Sequence, residues 1–147
     1  MVKMLGQQLR NIDSKNRVVL PPVFKEKLGD EFILTIGFDG NAELRTKEAF
    51  NEYLKLFENK SFFDKSVRNL TRLIMGNAFE IKLDSMSRIS LPKKIIEKLT
   101  IQKEVIFVGV GSMVELWSKE MFEEFENQYN PDDLSKLAQE ISTLNER

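Results

Sequence analysis

The chain has 147 residues, 41% hydrophobic and 31% charged, enough for one ordinary globular domain or two small ones sharing a core. It contains neither cysteine nor histidine, which removes disulfide frameworks, thiolate and imidazole nucleophiles, Cys/His zinc sites and the usual general base. Its net charge of −1 excludes a protein that is basic throughout, but the charges are segregated into blocks that cancel.

Before Leu20 the cations Lys3, Arg10, Lys15 and Arg17 are opposed only by Asp13. From Lys82 to Lys98 the cations are Lys82, Arg88, Lys93, Lys94 and Lys98, against Asp84 and Glu97. From Met113 to Asp133 a single cation, Lys119, faces Glu115, Glu120, Glu123, Glu124, Glu126, Asp132 and Asp133. No run reaches the roughly 18 to 20 apolar residues of a membrane span, and Met1 to Gly6 carries no signal-peptide pattern, so the expected compartment is the cytoplasm.

In chain order, Gln7 to Ile12 reads as a first strand, Asp13 to Asn16 as a tight turn, and a second strand begins near Val18. Asn16 suits the last turn position because asparagine tolerates positive φ. Pro21 and Pro22 end that strand and open a helix with Val23, Phe24 and Leu28 on its apolar side. Phe32 to Ile36 is continuously apolar enough for a buried strand, and Ala42 to Arg45 alternates as a half-exposed one does. Thr46 is placed to cap a helix with Phe50, Tyr53, Leu54 and Phe57 on one face.

A linking helix is predicted over 61–75, with Phe63, Val67, Leu70 and Ile74 as its apolar stripe and Lys65, Arg68 and Arg72 on its polar side. The pattern then repeats. Gly76 matches Gly6, Asp13 to Leu28 maps without a gap onto Asp84 to Leu99, and after one inserted residue Glu43-Leu44 falls on Glu115-Leu116. Ser118 stands where Thr46 does, ahead of Phe122, Phe125 and Tyr129, with Trp117 as a core or staple residue. A last helix restarts at Asn130-Pro131, and its face of Leu134, Leu137, Ile141 and Leu144 must pack on the body or on another subunit. Nearly all the aromatic residues fall at core positions of these elements, which argues against a base-stacking platform. The expected class is α/β (α+β), with a first unit at 1–60, the linker at 61–75, a second unit at 76–129 and a terminal helix at 130–147.

Two copies of Asp-x-x-x-Arg, each followed by an aliphatic residue and Leu-Pro, resemble the MraZ family of tandem SpoVT/AbrB-type swapped-hairpin proteins. The residues that carry the resemblance are Gly6, Asp13, Lys15, Arg17, Leu20-Pro21, Gly76, Asp84, Arg88 and Leu91-Pro92, with Glu115-Leu116-Trp117 in support. It implies two pseudo-symmetric units around a double-psi-like or AbrB-like barrel core with flanking helices. It also implies a cytoplasmic, nucleoid-associated regulator of transcription that forms a homo-oligomeric ring on repeated double-stranded DNA sites near division and cell-wall genes, with no cofactor. The family's usual turn has glycine where this chain has Asn16 and Ser87, and serine accepts positive φ less readily, so the second turn is expected to bend differently. Met86 also stands where the first copy has Lys15.

Several chemistries fit the motif. Asp13 and Asp84 structure the turn by accepting backbone N–H groups, or hold the arginine in a two-bond carboxylate pair; a catalytic acid pair is the rival. Arg17, Lys15, Arg10 and Arg88 are the candidate DNA contacts, with solvated surface charge as the alternative and a purely structural role as a further one for Arg88. Three readings therefore stand: a DNA-binding regulator, a protein-interaction scaffold without DNA affinity, and a hydrolase using Asp13 and Asp84.

Overall fold

The computed structural model describes residues 3–145. Strand β1 (Met4–Asn11) leads through the first turn into β2 (Arg17–Val19) and helix α1 (Pro22–Leu28). A hairpin of β3 (Glu31–Ile36) and β4 (Ala42–Arg45) follows, then helices α2 (Lys47–Glu58) and α3 (Lys65–Met75). The second half repeats the order as β5 (Phe79–Lys82), β6 (Arg88–Ser90), α4 (Lys93–Lys98), β7 (Glu104–Gly111), β8 (Val114–Ser118) and α5 (Lys119–Asn127), closed by α6 (Pro131–Asn145).

The halves interlock. The main sheet runs β1-β7-β8-β4-β3-β5, so each half's first strand joins the other half's hairpin, and β4 and β8 meet at the centre. The short strands β2 and β6 leave the main sheet and pair antiparallel with each other. Two backbone bonds extend this ribbon reciprocally: Leu20 N–H donates to Ser87 O and Leu91 N–H to Asn16 O, both at 2.9 Å. The α+β class follows the sequence, but the main sheet is not a closed barrel, because its edges β1 and β5 lie at opposite ends and the strands after the turns pair off separately.

The core fills the space between ribbon and sheet with equivalent residues from both halves. Val18 opposes Ile89 in the ribbon, and Leu20, Phe24 and Leu28 are matched by Leu91, Ile95 and Leu99, all buried. Leu34 faces Leu44 in one hairpin as Phe107 faces Leu116 in the other. Close packing of β1 on β7 requires Gly109, since a Cβ there would lie 2.4 Å from Leu5 N.

The caps at Thr46 and Ser118 form as the sequence predicts, accepting from Ala49 N and Met121 N. Other expectations fail for identifiable reasons. Helix α3 begins at Lys65, because Asp64 caps it through Ser66 N, so Phe63 precedes the helix and is 97% exposed instead of joining its stripe. Arg68, on the polar side of α3, reaches back in two exposed bonds to donate to Phe62 O and Phe63 O. Gly6 lies within β1 whereas Gly76 ends α3, so the matched glycines serve different structures. Phe38, Phe62 and Phe63 are exposed, so the aromatic residues are less uniformly core than their spacing implied. In α6, Asn130 and Asp133 bond reciprocally at the N-terminus, while Leu134, Leu137, Ile141 and Leu144 stay exposed and do not cover the body. No helix among the described residues is long and apolar enough to cross a membrane.

Candidate nucleic-acid interface

The chemistry of the repeated motif begins with the aspartate. Asp13 Oδ1 accepts from the backbone N–H groups of Lys15 and Arg17, both at 2.9 Å, and Oδ2 accepts from Arg17 Nε at 2.8 Å. Asp84 makes the same three bonds, to Met86 N, Arg88 N and Arg88 Nε, at the same distances. The arginine pair is therefore held by one side-chain bond and not two, because the other carboxylate oxygen is committed to the backbone. Nη1 and Nη2 of Arg17 and Arg88 make no hydrogen bond among the described residues.

The two turns have one geometry. Asn16 has φ 59° and Ser87 φ 60°, so the serine adopts the left-handed conformation that the sequence made less easy. The reciprocal bonds from Leu91 and Leu20 fix the carbonyl of each of these residues and so impose the same bend on both turns. The Arg17 backbone N–H, assisted by its side chain and Lys15 N–H, holds the Asp13 carboxyl below its ordinary value; Arg88 does the same for Asp84. Both carboxyls shift downward and each has both oxygens engaged by its own turn, so neither is raised as a general acid at neutral pH requires.

The ribbon decides where the arginines point. Val18 and Ile89 face the core, so the neighbouring positions Arg17 and Arg88 both lie on the outer face. Arg17 stands opposite Ser90 and Arg88 opposite Val19, which makes the arginines diagonal neighbours across the ribbon. Lys15 is exposed at the tip of the first turn, and Met86 holds that place in the second, 64% exposed. Arg10 is not joined to this group: its guanidinium donates to Leu9 O and Gln8 Oε1 on its own strand.

Two lysines that sequence reasoning missed lie beside the turns. Lys25 of α1 donates from Nζ to Ser87 Oγ at 2.7 Å, because the β2–β6 pairing carries the start of α1 to the opposite half's turn. Lys103 lines a cleft with Asp13, Ser14 and Asn16, and its carbonyl accepts from Ile12 N. Neither is near its turn in sequence, so no local pattern could have found them. Away from this surface, Glu115 lies opposite Glu43 at the centre of the sheet. Burial pushes its carboxyl above the ordinary value against a 2.9 Å bond from the Trp117 indole, and Glu43 and Asp39 add to the rise.

The family model described as "MraZ protein, putative antitoxin-like" matches residues 4–73 and again residues 74–144. The chain belongs to the MraZ family. It is 43% identical over 141 residues to the transcriptional regulator MraZ of Mycoplasmopsis synoviae (strain 53), covering 93% of this chain and 96% of that protein. Its identity to the transcriptional regulator MraZ of Mycoplasma mobile (strain ATCC 43663 / 163K / NCTC 11711) is 37% over 139 residues, or 94% and 95% of the two chains. The protein of the same name in Thermoanaerobacter sp. (strain X514) is 35% identical over 142 residues, or 97% and 99%. The two matches to the MraZ model divide the chain near the end of α3, where the sequence repeat also turns over.

Proposed function

We propose that the chain is a regulator of transcription, not an enzyme, and that it binds double-stranded DNA through the two Asp-Arg turns. One observation carries the reading: Arg17 and Arg88 share the outer face of the ribbon, each anchored through Nε with both Nη groups unbonded among the described residues. An arginine held this way has its rotamer already restricted and offers a fork of donors to guanine or phosphate oxygens. The relatives named as transcriptional regulators support the same reading. Lys15 adds phosphate attraction at the first turn, while Arg10 contributes only to the surrounding field. Asp13, Asp84 and Asn16 position the turns without touching DNA. Such a protein works in the cytoplasm, associated with the nucleoid.

A few cations per chain give modest affinity, so useful binding calls for several joined subunits on repeated sites. The exposed apolar face of α6 supports such an assembly, which we propose is a ring. The test is fluorescence anisotropy with a duplex from upstream of the chain's own coding sequence, over a series of salt concentrations. Arg17→Ala and Arg88→Ala should each weaken binding and flatten its salt dependence, with circular dichroism unchanged. Binding by both folded variants as tight and as salt-dependent as the parent's would overturn the assignment.

A further inference from the structure

The second turn lacks the lysine that the first carries at its tip, yet it is not short of a cation. Lys25 approaches it from α1 and donates to Ser87 Oγ at 2.7 Å. The equivalent position in the second half is the uncharged Ile96, in α4. The charge has changed places: the first turn has Lys15 on its tip and Ile96 on its neighbouring helix, and the second has Met86 on its tip and Lys25 on its neighbouring helix. Because β2 and β6 cross between the halves, the lysine that serves the second turn is encoded in the first.

We infer that Lys25 is a DNA phosphate contact of the second turn, replacing the missing tip lysine and held for that task by the Ser87 hydroxyl. This rests on the proposed DNA-binding reading and extends it to a residue outside the repeated motif. An ammonium has three donors, and Ser87 takes one. Among the described residues its other partner is Asp30 Oδ1 at 3.7 Å, a long ion pair to a side chain 74% exposed, which a phosphate oxygen displaces at little cost. The Lys25 side chain is 39% exposed, and its bond to Ser87 ties it to the residue next to Arg88. Ser87 thereby acquires a role beyond the bend: at the position where the family's turns carry glycine, it supplies the hydroxyl that aims the amine.

The measurement is the slope of log affinity against log salt for the upstream duplex, compared among parent, Lys25→Gln, Lys25→Arg and the double variant Lys25→Gln/Met86→Lys. Removing one phosphate contact lowers the slope by about 0.9 for each chain engaged, so the affinity lost on going from about 50 to about 200 mM salt becomes about 3.5-fold smaller per chain. Lys25→Gln should show this change. Lys25→Arg should keep the parental slope, and the double variant, with its cation returned to the turn tip, should recover it. A parental slope in Lys25→Gln, whether or not its thermal stability falls, would mean that Lys25 only braces the turn. If the slope falls but Met86→Lys does not restore it, the inferred exchange between tip and helix is wrong. Arg17→Ala and Arg88→Ala separate the two readings: a parent that does not bind the duplex, or binds it without dependence on either arginine, removes the reading of DNA binding through the turns, whereas loss in the arginine variants with a parental slope in Lys25→Gln removes Lys25 alone.

Discussion

Truncating Ile89 to alanine tests whether the ribbon joins the two halves into one cooperative unit. Ile89 is fully buried and stands opposite Val18, which is 1% exposed, at the centre of the β2–β6 pairing. Deleting its outer side-chain atoms removes apolar burial and leaves a cavity in the buried cluster that also holds Leu20, Leu91 and Ile95; such changes cost about 2–5 kcal/mol. Against a total of about 5–15 kcal/mol for a native protein, that is a large fraction. Because β1 and β5 are exchanged between the halves, the loss should appear as one earlier urea transition, seen identically by far-ultraviolet circular dichroism and by Trp117 fluorescence. Ile89→Val, which keeps most of the volume, should cost about 0.5–1.5 kcal/mol. With Val18→Ala added, the double variant should depart from additivity by about 0.5–3 kcal/mol, since the two side chains are in contact across the ribbon. Two separated transitions for Ile89→Ala, or a loss under about 1 kcal/mol, would refute the interlocked core as the source of stability.

Acid should act on both turns together. The folded-state pKa values of Asp13 and Asp84 are depressed, so their contribution is complete above the unfolded value of about 3.9 and is lost as pH falls below it. Thermal melts should therefore show a midpoint falling below about pH 4, with a shallower fall in Asp13→Asn/Asp84→Asn; an equally steep fall in that variant would assign acid sensitivity to other groups. At the second bend, Ser87→Val puts a β-branched residue at φ 60° and should cost about 1–2 kcal/mol by urea titration, while Ser87→Gly relieves that strain. Equal stability of these two variants would contradict the constrained turn.

The sequence by itself determined what depends on neighbours along the chain. The repeat, both turns with their aspartates and arginines, the caps at Thr46 and Ser118, and the helix starts after Leu20-Pro21 and Leu91-Pro92 all rest on side chains acting within a few residues, so their spacing was enough. The start of α3 was missed by the same logic, because the apolar spacing from Phe63 outweighed the weaker sign of a cap at Asp64. What only the tertiary structure decided is how the two copies meet. Periodicity cannot show that β2 pairs with β6, that Leu20 and Leu91 exchange bonds with the opposite turns, or that an open sheet replaces the expected barrel, since residues far apart in the chain make those contacts. The exchange makes the second turn the equal of the first despite its serine, sets both arginines on one face, and brings Lys25 to a turn sixty-two residues away in the chain.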